Sequence, residues 1–140
     1  MDTLSITLQS SDEKAKLSAT ARDNPPVIID YFPPVGTGQG YTSLELLMAA
    51  FGSCVSTTIL SLLRYRMKKT VAGVTAEVSG IVRDSHPKAL ESMKATLHIK
   101  ADDLSETEAA QAVKTAEDGI CPVWAMIKGN VDIDVVIKIE

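Results

Sequence analysis

Thr42 to Lys69 reads TSLELLMAAFGSCVSTTILSLLRYRMKK, and this stretch decides the fold. Thr42 followed at the third position by Glu45 is a capping box: the Thr hydroxyl can accept from the Glu45 N–H, and the Glu carboxylate can reach back to the N–H of Thr42. From Leu46 to Leu63 no residue is charged, and at about 1.5 Å per residue the run makes roughly 27 Å of helix, apolar nearly all round. Such a helix belongs in a core, buried on all sides. Arg64, Arg66, Lys68 and Lys69 end it with positive charge, which suits the negative pole of the helix dipole. The length reaches that of a membrane span. Gly52, Ser53, Ser56, Thr57, Thr58 and Ser61 dilute it, however, and strand patterns flank it, so a core helix and no membrane association is expected. One sheet covers only one side of a helix. The surplus apolar surface therefore predicts a second copy of the chain, most simply in a symmetric homodimer, with Gly52 allowing close helix approach.

Upstream, Leu4, Ile6 and Leu8 alternate with polar residues, Ser10 to Lys14 make a polar turn, Leu17, Ala19 and Ala21 alternate again, and Pro25 and Pro26 lead into Val27 to Ile29. This reads as an antiparallel meander. Residues 32–41, FPPVGTGQGY, hold two prolines and three glycines and make a loop. Downstream, Ala72, Val74, Ala76, Val78 and Val82 mark the buried face of one strand and Met93, Ala95, Leu97 and Ile99 that of the next, joined by turn chemistry at Asp84 to Pro87. Ser105 with Glu108 repeats the capping box before Ala109, Ala112, Val113 and Ala116 at helical spacing, and Gly119 ends that helix. In CPVWAMIKG, Cys121 stands as N-cap, Pro122 suits the first helical position, and Gly129 closes. Val131, Ile133, Val135, Ile137 and Ile139 form a closing strand. The order predicts an α+β fold with antiparallel sheets around a long buried helix.

Composition agrees with a single globular domain over residues 1–140: hydrophobic residues are 45% and charged residues 23%. One Trp, three Tyr and two Phe make no stacking platform, and a net charge of −4 does not bind phosphate backbones, so nucleic acid is excluded as a partner. The opening MDTLSITLQSSDEK has neither a basic n-region nor a long apolar run, which predicts a cytoplasmic protein with reduced thiols. The two cysteines, Cys54 and Cys121, lie far apart in the chain, without the spacing of a zinc site. A mid-helix Cys54 reads most simply as a small core residue. Cys121, at a helix start, faces free N–H groups that favour its thiolate.

The run SLELLMAAFGSC opening a long helix, followed much later by GICPV and a terminal strand, resembles the OsmC/Ohr family of thiol-dependent peroxidases. The resemblance covers nearly the whole chain: the Gly/Pro loop at 33–40, Glu45 to Cys54, the basic helix end at Arg64 to Lys69, and Cys121 to Val123. The turn His86-Pro87-Lys88 is similar to that of the OsmC-like branch. What the resemblance implies is an intertwined homodimer in which Cys54 attacks the O–O bond of an organic hydroperoxide, Cys121 resolves the sulfenic acid as a disulfide, and a dithiol, of which lipoyl types are one class, restores both. Peroxidases of the family supply an arginine from the first turn, held by a helix glutamate. Here Ser10 to Lys14 contain no arginine, Leu44 stands at the glutamate's place, and Glu45 follows one residue later, leaving Lys14, Arg22 and Arg64 as candidate cations.

Two functions follow as expectations. One is an organic hydroperoxide reductase with Cys54, Cys121 and Glu45 in its site and Met48, Phe51 and Trp124 walling an apolar pocket. The other is a non-enzymatic, redox-sensitive stress or small-molecule-binding protein of the same fold, holding an apolar ligand. The capping box alone accounts for Glu45. GTGQG lacks the strand, helix and Lys-Ser or Lys-Thr context of a phosphate cradle, and His86 and His98 are not spaced with the cysteines as metal ligands, so neither cofactor nor metal is expected.

Overall fold

A computed structural model describes residues 1–140, which form two compact units, Met1–Leu46 and Leu47–Glu140. The first is the meander expected from its alternation: β1 (Thr7–Ser10), β2 (Leu17–Thr20) and β3 (Val27–Ile29) pair antiparallel in that order, with Thr7 opposite Thr20 and Leu17 opposite Ile29. The β1–β2 turn closes around Asp12, whose carboxylate accepts the N–H groups of Lys14 (2.8 Å) and Lys16 (3.2 Å). This small sheet leaves Ile6, Leu8 and Val27 exposed.

Between β3 and the long helix, the loop is organised by one buried side chain. The Asp30 carboxylate accepts from the Tyr31 N–H (2.8 Å), the Thr37 N–H (3.2 Å) and hydroxyl (2.8 Å), and the Gln39 N–H (3.1 Å). Gly36 and Gly40 are required by close approach: a Cβ on the first would strike the Asp30 carboxylate and the Tyr31 carbonyl, and one on the second would lie 2.5 Å from the Ile28 carbonyl. Tyr41 then bonds back to Ile28 and Asp30, which brings the chain to Thr42.

The long helix α1 spans Ser43–Ser61 and continues as a wider, π-type turn over Leu62–Arg66. By length and composition Ser43–Arg66 could cross a membrane, but Phe51, Gly52, Val55, Ser56, Ile59, Leu62 and Leu63 are buried in protein. The expectation of burial on every side is corrected here. Ala49, Ala50, Ser53, Thr57 and Ser61 form an exposed strip of small residues along one side. Gly52 also differs from expectation: its close neighbour is Val78 of the sheet, whose Cγ2 would lie 2.9 Å from a Cβ at that position.

The second unit's sheet has the order β4 (Val74–Val82), β5 (Leu90–Ile99), β6 (Asp132–Ile139). β5, in the middle, turns Met93, Ala95, Leu97 and Ile99 into the core. β4 is an edge strand, and much of its alternating apolar face, including Ala76 and Val82, stays exposed in the chain. The β4–β5 hairpin is antiparallel, but β5 and β6 run parallel, with Met93 opposite Ile133 and Ile99 opposite Ile139. The sheet is therefore mixed. The physical reason is the crossover: parallel neighbours need a long connection, and residues 100–131 supply it with α2 (Glu106–Thr115) and α3 (Pro122–Ile127). The second capping box is formed, Ser105 N–H to Glu108 Oε1 at 3.1 Å and Glu108 N–H to Ser105 Oγ at 3.2 Å, and α2 packs on β6.

Candidate functional site

Cys54 sits half-buried on α1 at the border between the buried arc and the exposed strip. One turn on, the Thr57 hydroxyl donates to the carbonyls of Ser53 (2.9 Å) and Cys54 (3.1 Å), so its polar atom is turned back onto the helix. Cys121 lies within the crossover. After α2 a π-type turn, Ala116–Ile120, brings the chain round, the Cys121 N–H donates to the Ala116 carbonyl (3.1 Å), and Pro122 opens α3. The Cys121 thiol donates to Cys54 Sγ at 3.1 Å, bridging 67 positions of sequence. Both are free thiols, within about 1 Å of the covalent S–S separation.

The thiolate expected at Cys121 from its place at a helix start is not what the structure supports. Burial pushes its pKa up; the Trp124 N–H acts downward, the Cys54 sulfur upward again, and the Val123 N–H downward, with the net direction upward. Cys121 is 2% exposed, so loss of water outweighs the dipole of a helix only six residues long.

Phe51, one turn before Cys54, meets Trp124, one turn after Cys121, edge to face with ring centroids 5.7 Å apart and planes at 87°. Both rings are buried. Met48 reaches β4, its Cε lying 3.6 Å from the Cβ position of Gly80. Glu45 accepts the Thr42 N–H at 2.9 Å, and its own N–H donates to Thr42 Oγ1 at 3.2 Å; these Thr42 bonds hold its carboxyl below the ordinary range, as a cap. Of the candidate cations, Arg64 is engaged elsewhere: Nε and Nη2 donate to the Val71 carbonyl at 3.2 and 2.9 Å, ten positions along the helix from Cys54, or about 15 Å of rise. Lys14 and Arg22 are exposed in the first unit.

The family signature described as OsmC-like protein matches residues 36–136, which include the end of the loop, α1, both cysteines and most of the second sheet. The chain belongs to the OsmC-like family. No curated protein is significantly similar in sequence. Among solved structures, a hypothetical protein from Aquifex aeolicus VF5 superposes with a TM-score of 0.85 at 22% identity, covering 100% of this chain and 98% of the other. An OsmC-like protein from Mycoplasma pneumoniae gives 0.82 at 20% identity, with 99% and 97% covered. The organic hydroperoxide resistance protein OhrB of Bacillus subtilis gives 0.68 at 21% identity, with 98% of each chain covered. The α+β OsmC-like fold thus extends through the whole chain.

Two polar centres in this OsmC-like chain escaped the sequence reading. Asp30 is 1% exposed; burial alone would raise its pKa, but the four hydrogen bonds from Thr37, Gln39 and Tyr31 prevail and lower it to about 2. Its sequence signal is an Asp directly before a glycine-rich loop, where a carboxylate can collect N–H groups. His98 on β5 reaches Glu140 through Nδ1 and Glu77 through Nε2, each at 2.8 Å. Its pKa is raised by the Glu140 bond and then by Glu77, against partial burial.

Proposed function

We propose that this protein reduces organic hydroperoxides with Cys54 as the attacking thiol and Cys121 as the resolving one. The observation that carries the reading is the 3.1 Å contact between two free thiols in an OsmC-like chain, with Cys121 as donor and Cys54 as acceptor. Cys54, less buried than its neighbour, is the sulfur an incoming peroxide meets. Its thiolate attacks one peroxide oxygen; the O–O bond breaks, the alkoxide leaves and takes up a proton as the alcohol, and Cys54 becomes a sulfenic acid. Cys121 then displaces hydroxide from that sulfur, giving the disulfide and water, and an external dithiol returns both sulfurs to thiols while becoming a disulfide itself. No metal or cofactor enters this scheme.

The reading includes a homodimer acting in a reducing cytoplasm. The exposed strip of α1 and the exposed apolar side chains of both units support a second copy as the partner. One observation favours the alternative, a redox-sensitive protein that holds a small apolar ligand without turnover: the guanidinium of Arg64 is bound to Val71 and does not serve Cys54. The rate of thiol loss when cumene hydroperoxide is added to the fully reduced protein separates the two. The peroxidase reading requires consumption of one peroxide for two thiols, faster than a free small thiol at the same pH; a rate no greater leaves the binding protein as the better account.

A further inference from the structure

We infer that Phe51 and Trp124 are a positioning pair that sets how readily Cys54 and Cys121 join. Each ring stands close in sequence to one thiol: Phe51 lies three residues before Cys54 on α1, and Trp124 lies on α3, three residues after Cys121, the N-cap of that helix. The edge-to-face contact and the thiol contact therefore run side by side between the same two elements. α3 has six residues, too few to hold a fixed place by its own backbone bonds, so its seating depends on side-chain anchors. Trp124 is its one buried large side chain, at 4% exposure, and the ring it meets is fully buried on a long, rigid helix. A T-shaped aromatic contact is favoured beyond the area it buries, so it holds α3 at this position. Fixing α3 in this way keeps Cys121 against Cys54 and gives the pair a high effective concentration, the quantity that governs closure against competing reactions of the open form.

That concentration belongs to the two thiols whatever oxidises them. Its consequence for hydroperoxide turnover rests on the peroxidase reading. The measurement is the equilibrium of the full-length protein with reduced and oxidised glutathione: one glutathione disulfide takes two electrons and two protons from Cys54 and Cys121, two glutathione thiols are released, and one protein disulfide forms. Phe51→Leu and Trp124→Leu are each expected to lower the effective concentration by about tenfold or more, while Trp124→Phe, which keeps an aromatic partner, stays within about threefold of the native value. Ile99→Val, a buried change on β5, lowers resistance to urea but leaves the glutathione equilibrium in place, which separates positioning from general stability. Should a leucine variant fail to fold, Phe51→Met and Trp124→Met carry the same expectation. Folded leucine variants with the native effective concentration overturn the inference. If the equilibrium shifts as stated while the native protein consumes no hydroperoxide, the positioning pair stands and the peroxidase reading alone falls.

Discussion

A thiol at the start of a helix loses its expected character once burial is known. Cys121 is the more enclosed and has its pKa raised by desolvation, while Cys54 accepts its hydrogen bond. On the peroxidase reading, the roles follow in order. Cys54→Ser is expected to abolish reaction with cumene hydroperoxide, whereas Cys121→Ser reacts once and accumulates a sulfenic acid that dimedone traps, because attack precedes resolution; sulfenic acid on Cys121 in Cys54→Ser would reverse the assignment. Each cysteine is legible in the sequence by its flanking residues, but their contact is not, since nothing local encodes a meeting across 67 positions. Asp30 was hidden for the opposite reason: the loop around it is easily read from its prolines and glycines, which draws attention away from the residue that assembles it. With its pKa lowered from 3.8 to about 2, Asp30 contributes stability that is present above pH 3.8 and lost as the pH falls toward 2. Asp30→Ala, leaving the N–H groups of Tyr31, Thr37 and Gln39 without their acceptor, is expected to lower the urea midpoint more than Asp12→Ala in the open β1–β2 turn, and to flatten the acid limb.

Capping boxes were the most legible elements, because Thr42 with Glu45 and Ser105 with Glu108 each state a helix start in four residues. The direction of β6 was not legible. Alternation reports which side of a strand is apolar, and it is the same for parallel and antiparallel neighbours; only the crossover through α2 and α3 decides. Gly52, which the sequence suggests as a point of helix approach, is a seat for Val78 of β4. Gly52→Leu is expected to cost about 1–3 kcal/mol of stability through overpacking against Val78, read as a lower urea midpoint, with Gly52→Ala at the small end of that range. An unchanged midpoint in Gly52→Leu would show that α1 and β4 do not meet there. Across the sheet, His98 ties β5 to Glu77 of β4 and to Glu140 after β6. Its pKa is raised in the folded state, so its contribution is complete below the ordinary value of 6.5 and is lost as the pH climbs through the raised one. The urea midpoint of the native protein should therefore fall through that window, and His98→Gln should remove the fall.

For the molecule as a whole, the surface a second copy would cover on the homodimer reading is one strip of small side chains on α1 and the exposed apolar side chains of the sheets. Sedimentation equilibrium is expected to show a species about twice the 15.0 kDa chain mass at micromolar concentration, and Ser53→Arg, a charge placed on the strip, to shift it to the monomer. A folded native monomer would end the homodimer reading. The crossover that makes β6 parallel also has a consequence in time. Cys54 is made before Cys121, and β4, β5 and α2 must all follow it before Cys121 leaves the ribosome. At about 5–20 residues per second that delay is on the order of several seconds. Throughout it Cys54 is a solitary thiol on a nascent chain, and an oxidant that finds it then meets no second sulfur to make the damage reversible, so the first oxidation can proceed to a sulfinic acid. On the peroxidase reading, the completed fold protects a residue that synthesis leaves unguarded, and newly made chains are where irreversible loss should concentrate under peroxide stress.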